Sequence, residues 1–122
     1  MKRVTGIGGI FFKAQNPKEL AAWYEKHLGI DFGGKIYTDF QFQPQEKGSQ
    51  AFSFFPADTK YFEPSQKEFM INLRVENLFE LLEALRAEGV HISEEPQDTD
   101  YGKFGWILDP EGNKIELWEP VE

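Results

Sequence analysis

Cysteine is absent from this 122-residue sequence. Disulfides, thiol nucleophiles and cysteine–zinc centres are therefore excluded. Histidine is scarce, with only His27 and His91. His27 falls near the end of a helical pattern, where an imidazole can hydrogen-bond carbonyls and favour the helix dipole. His91 follows a second helical pattern, and both histidines read as structural. No apolar run approaches the ~20 residues that a membrane-spanning helix needs. The first residues lack the apolar stretch and cleavage site of a secretory leader, so a cytoplasmic location is expected. Positive charge is also short: 13 Lys and Arg against 21 Asp and Glu leave a net charge of −8. A nucleic-acid partner needs clustered cations and is not expected. A cationic ligand is compatible with this balance, as is plain solubility. The sequence shows no Ser–His or Cys–His constellation, no phosphate-binding loop and no paired carboxylates of clear geometry.

What it has is aromatic residues, Phe alone numbering 12, and enough length for one well-filled core. A single domain over residues 1–122 is expected. Residues 6–13 read as a strand. Asn16 and Pro17 supply an N-cap and first helical residue, and Leu20, Trp23, Tyr24, His27 and Leu28 repeat at helical spacing up to Gly29. Short strands are expected at 30–32, 35–42 and 50–56, with a polar loop at 43–49. Residues 57–67 form a loop with aromatic anchors Tyr61 and Phe62. A strand at 69–75 follows. A helix capped by Asn77 then carries Leu78, Leu81, Leu82 and Leu85 to a stop at Gly89. A short strand at 90–93, an acidic loop at 94–100 and a closing hairpin complete the chain.

The hairpin organises the rest. Residues 104–109 and 114–118 are its strands, and Asp109-Pro-Glu-Gly-Asn113 is its turn. Alternation is read as placing Phe104, Trp106, Leu108, Ile115 and Leu117 on a shared core face, with Ile107 and Glu116 turned the other way. Strand–Asn–helix–Gly–strands occurs twice. Asn16 matches Asn77, Leu20 matches Leu81, and residues 51–56 match residues 115–120. One βαβββ unit duplicated is the economical explanation. Module one then covers about 5–57 and module two about 68–120. Neither unit can bury its apolar faces alone, so the halves must pair.

These residues resemble the vicinal-oxygen-chelate superfamily, which includes glyoxalase I, bleomycin-resistance proteins and extradiol dioxygenases. The carriers are Asn16-Pro17 through Leu28-Gly29, Met70 to Asn77, and Asp109 to Leu117. The resemblance spans roughly residues 5–120. It implies an α+β fold of two paired βαβββ modules, which form a cupped mixed sheet with helices on the outer face. It also implies metal-ligand places that fall here on Gly9, Phe52, Met70 and Glu116. Only Glu116 offers a donor that a hard or borderline divalent ion prefers. No metal or other cofactor is therefore expected, and glyoxalase I chemistry itself is not expected either. A shifted site using Asn72, Tyr101 or Asp109 is the alternative placement.

Glu116 has three readings: a hydrogen-bonded residue at a wet sheet edge, an acceptor for a bound small molecule, or a general base buried among Phe52, Met70 and Ile107. Lys13 and Arg74 occupy equivalent places, four residues beyond Gly9 and Met70, on the same strand faces as those positions. In glyoxalase-like proteins a basic residue there can hold a substrate carboxylate. Phe11, Phe54, Tyr101 and Trp118 are candidates for aromatic walls. The leading expectation is a metal-independent protein that binds an aromatic or cationic small molecule in the concave groove. The alternative is a metal-dependent lyase, isomerase or dioxygenase of the same superfamily, with a degenerate shell that includes Glu116. A homodimer that completes the groove is the expected assembly, with the Tyr61–Phe62 loop available for contacts.

Overall fold

A computed structural model describes residues 1, 3, 7–41, 43 and 49–121. Positions 6 and 42, the ends of two expected strands, and most of the expected 43–49 loop lie outside the described residues. The fold is α+β. Helix α1 spans Pro17–Leu28 and α2 spans Leu78–Ala87. The strands are β1 (Ile71–Arg74), β2 (His91–Thr99), β3 (Gly102–Leu108) and β4 (Lys114–Pro120). They form one mixed sheet in the order β1-β4-β3-β2. β1 runs parallel to β4, and the other neighbours are antiparallel. The segment from β1 to β4 thus has the order strand–helix–three strands expected of the second module.

Both helices contribute to one core. Leu20 and Tyr24 of α1 and Leu78, Leu82 and Leu85 of α2 cluster with Val90, Ile107, Ile115 and Leu117. Burying each of these leucines stabilises the fold by roughly 1.5–3 kcal/mol. The approach of α2 depends on Gly105, where a Cβ would lie 2.7 Å from Leu82 Cδ1. α1 stops at Gly29, which takes the left-handed conformation at φ 68° and donates its N–H to Glu25.

Asn16 and Asn77 stand at the N-cap positions, but neither makes a side-chain capping bond. Carboxylates from the sheet end take over. Glu119 Oε1 accepts from Leu78 N at 2.9 Å. Glu111 accepts from Gln15 N at 2.7 Å and Asn16 N at 2.9 Å.

Three expectations are corrected. First, the facing of β3 is opposite to that inferred. Trp106 pairs with Glu116, Ile107 with Ile115 and Phe104 with Trp118. Residues directly opposite in an antiparallel pair share a face. Phe104 and Trp106 therefore lie with Glu116 and Trp118, while Ile107, Ile115 and Leu117 face the helices. Second, residues 94–99 are strand rather than acidic loop. Register irregularities between Ile92 and Glu94 and between Glu94 and Gln97 let this polar edge stay paired. Third, residues 7–13, 30–32, 35–41 and 50–56 form no ladder. A strand needs a neighbouring backbone to hydrogen-bond, and among the described residues the sheet supplies none to these segments. Phe11 is 94% exposed and Phe52 80% exposed in consequence.

Candidate functional site

The turn Asp109-Pro-Glu-Gly-Asn113 holds the two parts of the chain together. Asp109 Oδ1 accepts from Glu111 N at 2.9 Å and Asn113 N at 3.0 Å. Its Oδ2 accepts from Asn113 Nδ2 at 2.7 Å and from the Tyr24 hydroxyl at 2.6 Å. Burial, followed by the bond and charge of Asp109, pushes the Tyr24 pKa far above its ordinary value. The Glu111 carboxylate is held below its usual range by the N–H groups of Asn16 and Gln15. His27 Nδ1 meets Glu88 Oε1 at 2.7 Å, which joins the end of α1 to the end of α2. Asp109 is thus fully engaged as a structural residue, and His27 has a structural partner. His91 is an exposed β2 residue paired with Leu108.

The other face of the sheet carries the polar and aromatic residues. Glu116 is 8% exposed, and its carboxylate accepts three hydrogen bonds. Tyr61 Oη donates to Oε2 at 2.5 Å and Trp106 Nε1 to the same oxygen at 2.9 Å. Asn72 Nδ2 donates to Oε1 at 2.8 Å. The pKa of Tyr61 is pushed well up, first by burial and then by its bond to Glu116. Beside this cluster, Lys114 Nζ donates to the Tyr61 backbone carbonyl at 2.6 Å and pairs with Glu94. Its ammonium also lies 5.3 Å from the Tyr61 ring centroid. Lys114 therefore fastens the 57–67 loop to the sheet, and Tyr61 brings that loop to Glu116. The bulge before Glu94 makes this possible, because it sets Glu94 opposite Trp106 and on the Lys114 face.

An open hollow lies between this sheet face and the first part of the chain. Gly9, Phe52, Met70 and Glu116 all border it, as do Arg74 and Trp118. Lys13, Phe11 and Tyr101 do not border it. Lys13 and Phe11 are exposed on a segment outside any ladder, and Tyr101 is exposed in the β2–β3 turn, where its carbonyl accepts from Trp118 Nε1 at 2.9 Å. Ile107 faces the helices and so does not surround Glu116.

A divalent metal does not fit this donor set. Gly9 and Phe52 bring no donor, and a Met70 thioether suits soft ions. Glu116 Oε2 is already filled by an O–H and an N–H donor, whose positive ends a cation would oppose. Among the described residues no group of three or more His, Asp and Glu is arranged to hold a metal.

Sequence reasoning placed Glu116 on the site but missed four residues around it. Trp106 was assigned to the core, although the five-residue turn already implies its pairing with Glu116. Lys114 and Glu94 lie 20 residues apart, and only the bulge in β2 aligns them. Tyr61 lies 55 residues from Glu116, and no local pattern announces the contact.

The family model of the Glyoxalase/Bleomycin resistance protein/Dioxygenase superfamily matches residues 6–117. The chain belongs to that superfamily. Among solved structures, an antibiotic-binding protein from a Streptomyces species is 29% identical, with 42% of this chain and 41% of that chain covered and a TM-score of 0.39. A superfamily member from Sphaerobacter thermophilus is 30% identical, with 40% of each chain covered and a TM-score of 0.37. A structure described as a conserved domain protein is 17% identical but spans more, covering 88% of this chain and 91% of that one at a TM-score of 0.54. This last likeness bears on fold alone. The chain thus aligns with well under half the length of the first two relatives. No curated protein sequence matches the chain significantly. No helix among the described residues is long and apolar enough to cross a membrane.

Proposed function

We propose that this protein binds an aromatic or cationic small molecule in its hollow, without a metal. The observation that carries this reading is the state of Glu116. It is a nearly buried carboxylate held by three uncharged donors at the edge of an open space with aromatic walls. Such a group is positioned to recognise a ligand, whereas a metal centre of this superfamily would need further oxygen or nitrogen ligands. Phe104 and Trp118 border the same space, with ring planes only 11° apart and centroids at 6.1 Å. They provide a flat apolar surface beside the carboxylate. Arg74 remains a candidate for a ligand's acidic group. A thermal-shift and calorimetric screen against a broad panel of aromatic cations and neutral aromatics tests the reading. Saturable binding that survives chelator treatment supports it. The absence of any saturable binder overturns it.

The same reading includes two paired βαβββ modules in one cytoplasmic domain, assembled as a homodimer. Residues 7–13 and 50–56 repeat the pattern of β1 and β4 but lack ladder partners. Their exposed Phe11, Phe52 and Phe54 leave apolar surface that a second copy of the chain would cover. Sedimentation equilibrium is expected to return a dimer at micromolar concentration, and a monomer there removes the second copy from the account.

A further inference from the structure

We infer that Glu116 Oε1 and Asn72 Oδ1 form a recognition pair for a ligand nitrogen bearing two or more N–H bonds. A primary ammonium or an amidinium attached to an aromatic group fits this pair. The inference rests on the binding reading above and assigns that site its ligand chemistry. A carboxylate offers about four acceptor positions. Tyr61 and Trp106 fill those of Oε2, whereas Oε1 receives only Asn72 Nδ2. One acceptor position on Oε1 is left over. The orientation of Asn72 follows from the same bond. A carboxylate takes the amide NH2, so the Asn72 carbonyl oxygen turns away from Glu116 as a second acceptor. Among the described residues no donor is bonded to it.

Both residues border the hollow, and they are register partners on adjacent parallel strands. The sheet therefore fixes the spacing of the two acceptors, so little ordering is left for binding to impose. Trp118, with Phe104 stacked on it, is the next residue along β4 on the same face. Arg74 is the corresponding next residue on β1, so the ligand's cationic end belongs at the Glu116 end and its ring at the Trp118 end. The net charge of −8 favours the approach of such a cation.

The test is calorimetric titration of the full chain with naphthylmethylamine, which is cationic at neutral pH, and with naphthylmethanol and naphthoate. The amine is expected to bind at least about tenfold more tightly than the alcohol, the worth of one hydrogen bond to a charged group. Naphthoate is expected to bind more weakly than both. Glu116→Gln and Asn72→Leu are each expected to remove most of the preference for the amine. Asn72 is exposed, so its replacement leaves the core untouched and provides a reading even if Glu116→Gln fails to fold. If amine and alcohol bind equally, the recognition pair is overturned and the hollow as a binding site stands. The pair also falls if the preference persists in Asn72→Leu. If none of the three probes binds, the recognition pair falls, while binding in the hollow falls only if the broad panel also yields no saturable binder.

Discussion

Replacing Glu116 with alanine leaves Trp106 Nε1, Tyr61 Oη and Asn72 Nδ2 without their acceptor. The three losses are unequal. Asn72 is exposed and Tyr61 half so, and water can satisfy both. Trp106 is only 2% exposed, so its N–H is stranded. A stranded buried donor costs about 1–3 kcal/mol, and the lost bonds to a charged acceptor add to this. The alanine variant should therefore be destabilised by about 2–4 kcal/mol. With an unfolding entropy of about 2 cal/mol/K per residue over 122 residues, each kcal/mol moves Tm by about 4 °C. Its Tm should fall by about 8–16 °C at fixed protein concentration. Glutamine keeps the shape and can still accept from Trp106 and Tyr61, and its NH2 can donate to a flipped Asn72. Only the charge assistance is lost, so Glu116→Gln should cost about 1–2 kcal/mol. Differential scanning calorimetry, with urea unfolding as a second measure, reads both. An alanine variant within about 0.5 kcal/mol of the parent would refute the reasoning, because it would mean that Trp106 does not depend on Glu116.

Three further outcomes follow from the same contacts. Tyr24→Phe should cost about 1.5–3 kcal/mol through loss of the charge-assisted bond to Asp109, measured by urea unfolding at neutral pH. Folding raises the Tyr24 pKa, so its contribution is complete below pH 10 and declines above it by up to about 1.4 kcal/mol per pH unit; Tyr24→Phe should flatten that slope between pH 10 and about 11.5. Folding lowers the Glu111 pKa, so its hold on α1 is present above pH 4.5 and fades as pH falls below that; hydrogen exchange at the start of α1 should quicken there in the parent and at all pH values in Glu111→Ala. Gly105→Ala places a Cβ against Leu82 and should destabilise by about 1–3 kcal/mol, with part of the loss recovered by adding Leu82→Val, as read by thermal unfolding of the single and double variants.

Local chemistry made much of this fold legible. The Asn–helix–Gly pattern marked both helices, because Pro17 favours a start and a glycine in the left-handed conformation favours a stop. The closing hairpin was legible from its turn, and Glu116 from being a carboxylate in an apolar strand. What escaped was decided by pairing between distant segments. The acidic stretch 94–99 looks like a loop, yet β3 captures it through irregular register. Asn16 and Asn77 look like caps, yet carboxylates distant in sequence, Glu111 of the β3–β4 turn and Glu119 at the end of β4, perform that task. The partners of Glu116 come from a loop, from β1 and from β3, and only the last was implied by the hairpin itself. The segments 7–13 and 50–56 carry strand-like aliphatic and aromatic residues, but composition does not supply a neighbouring strand.

The claim that a ligand, rather than a metal, occupies the hollow beside Glu116 is tested most directly by elemental analysis of protein purified without chelators. The account predicts divalent metal far below one ion per chain, with the same small-molecule affinity before and after chelation. One tightly held ion per chain, absent from Glu116→Ala, would contradict it.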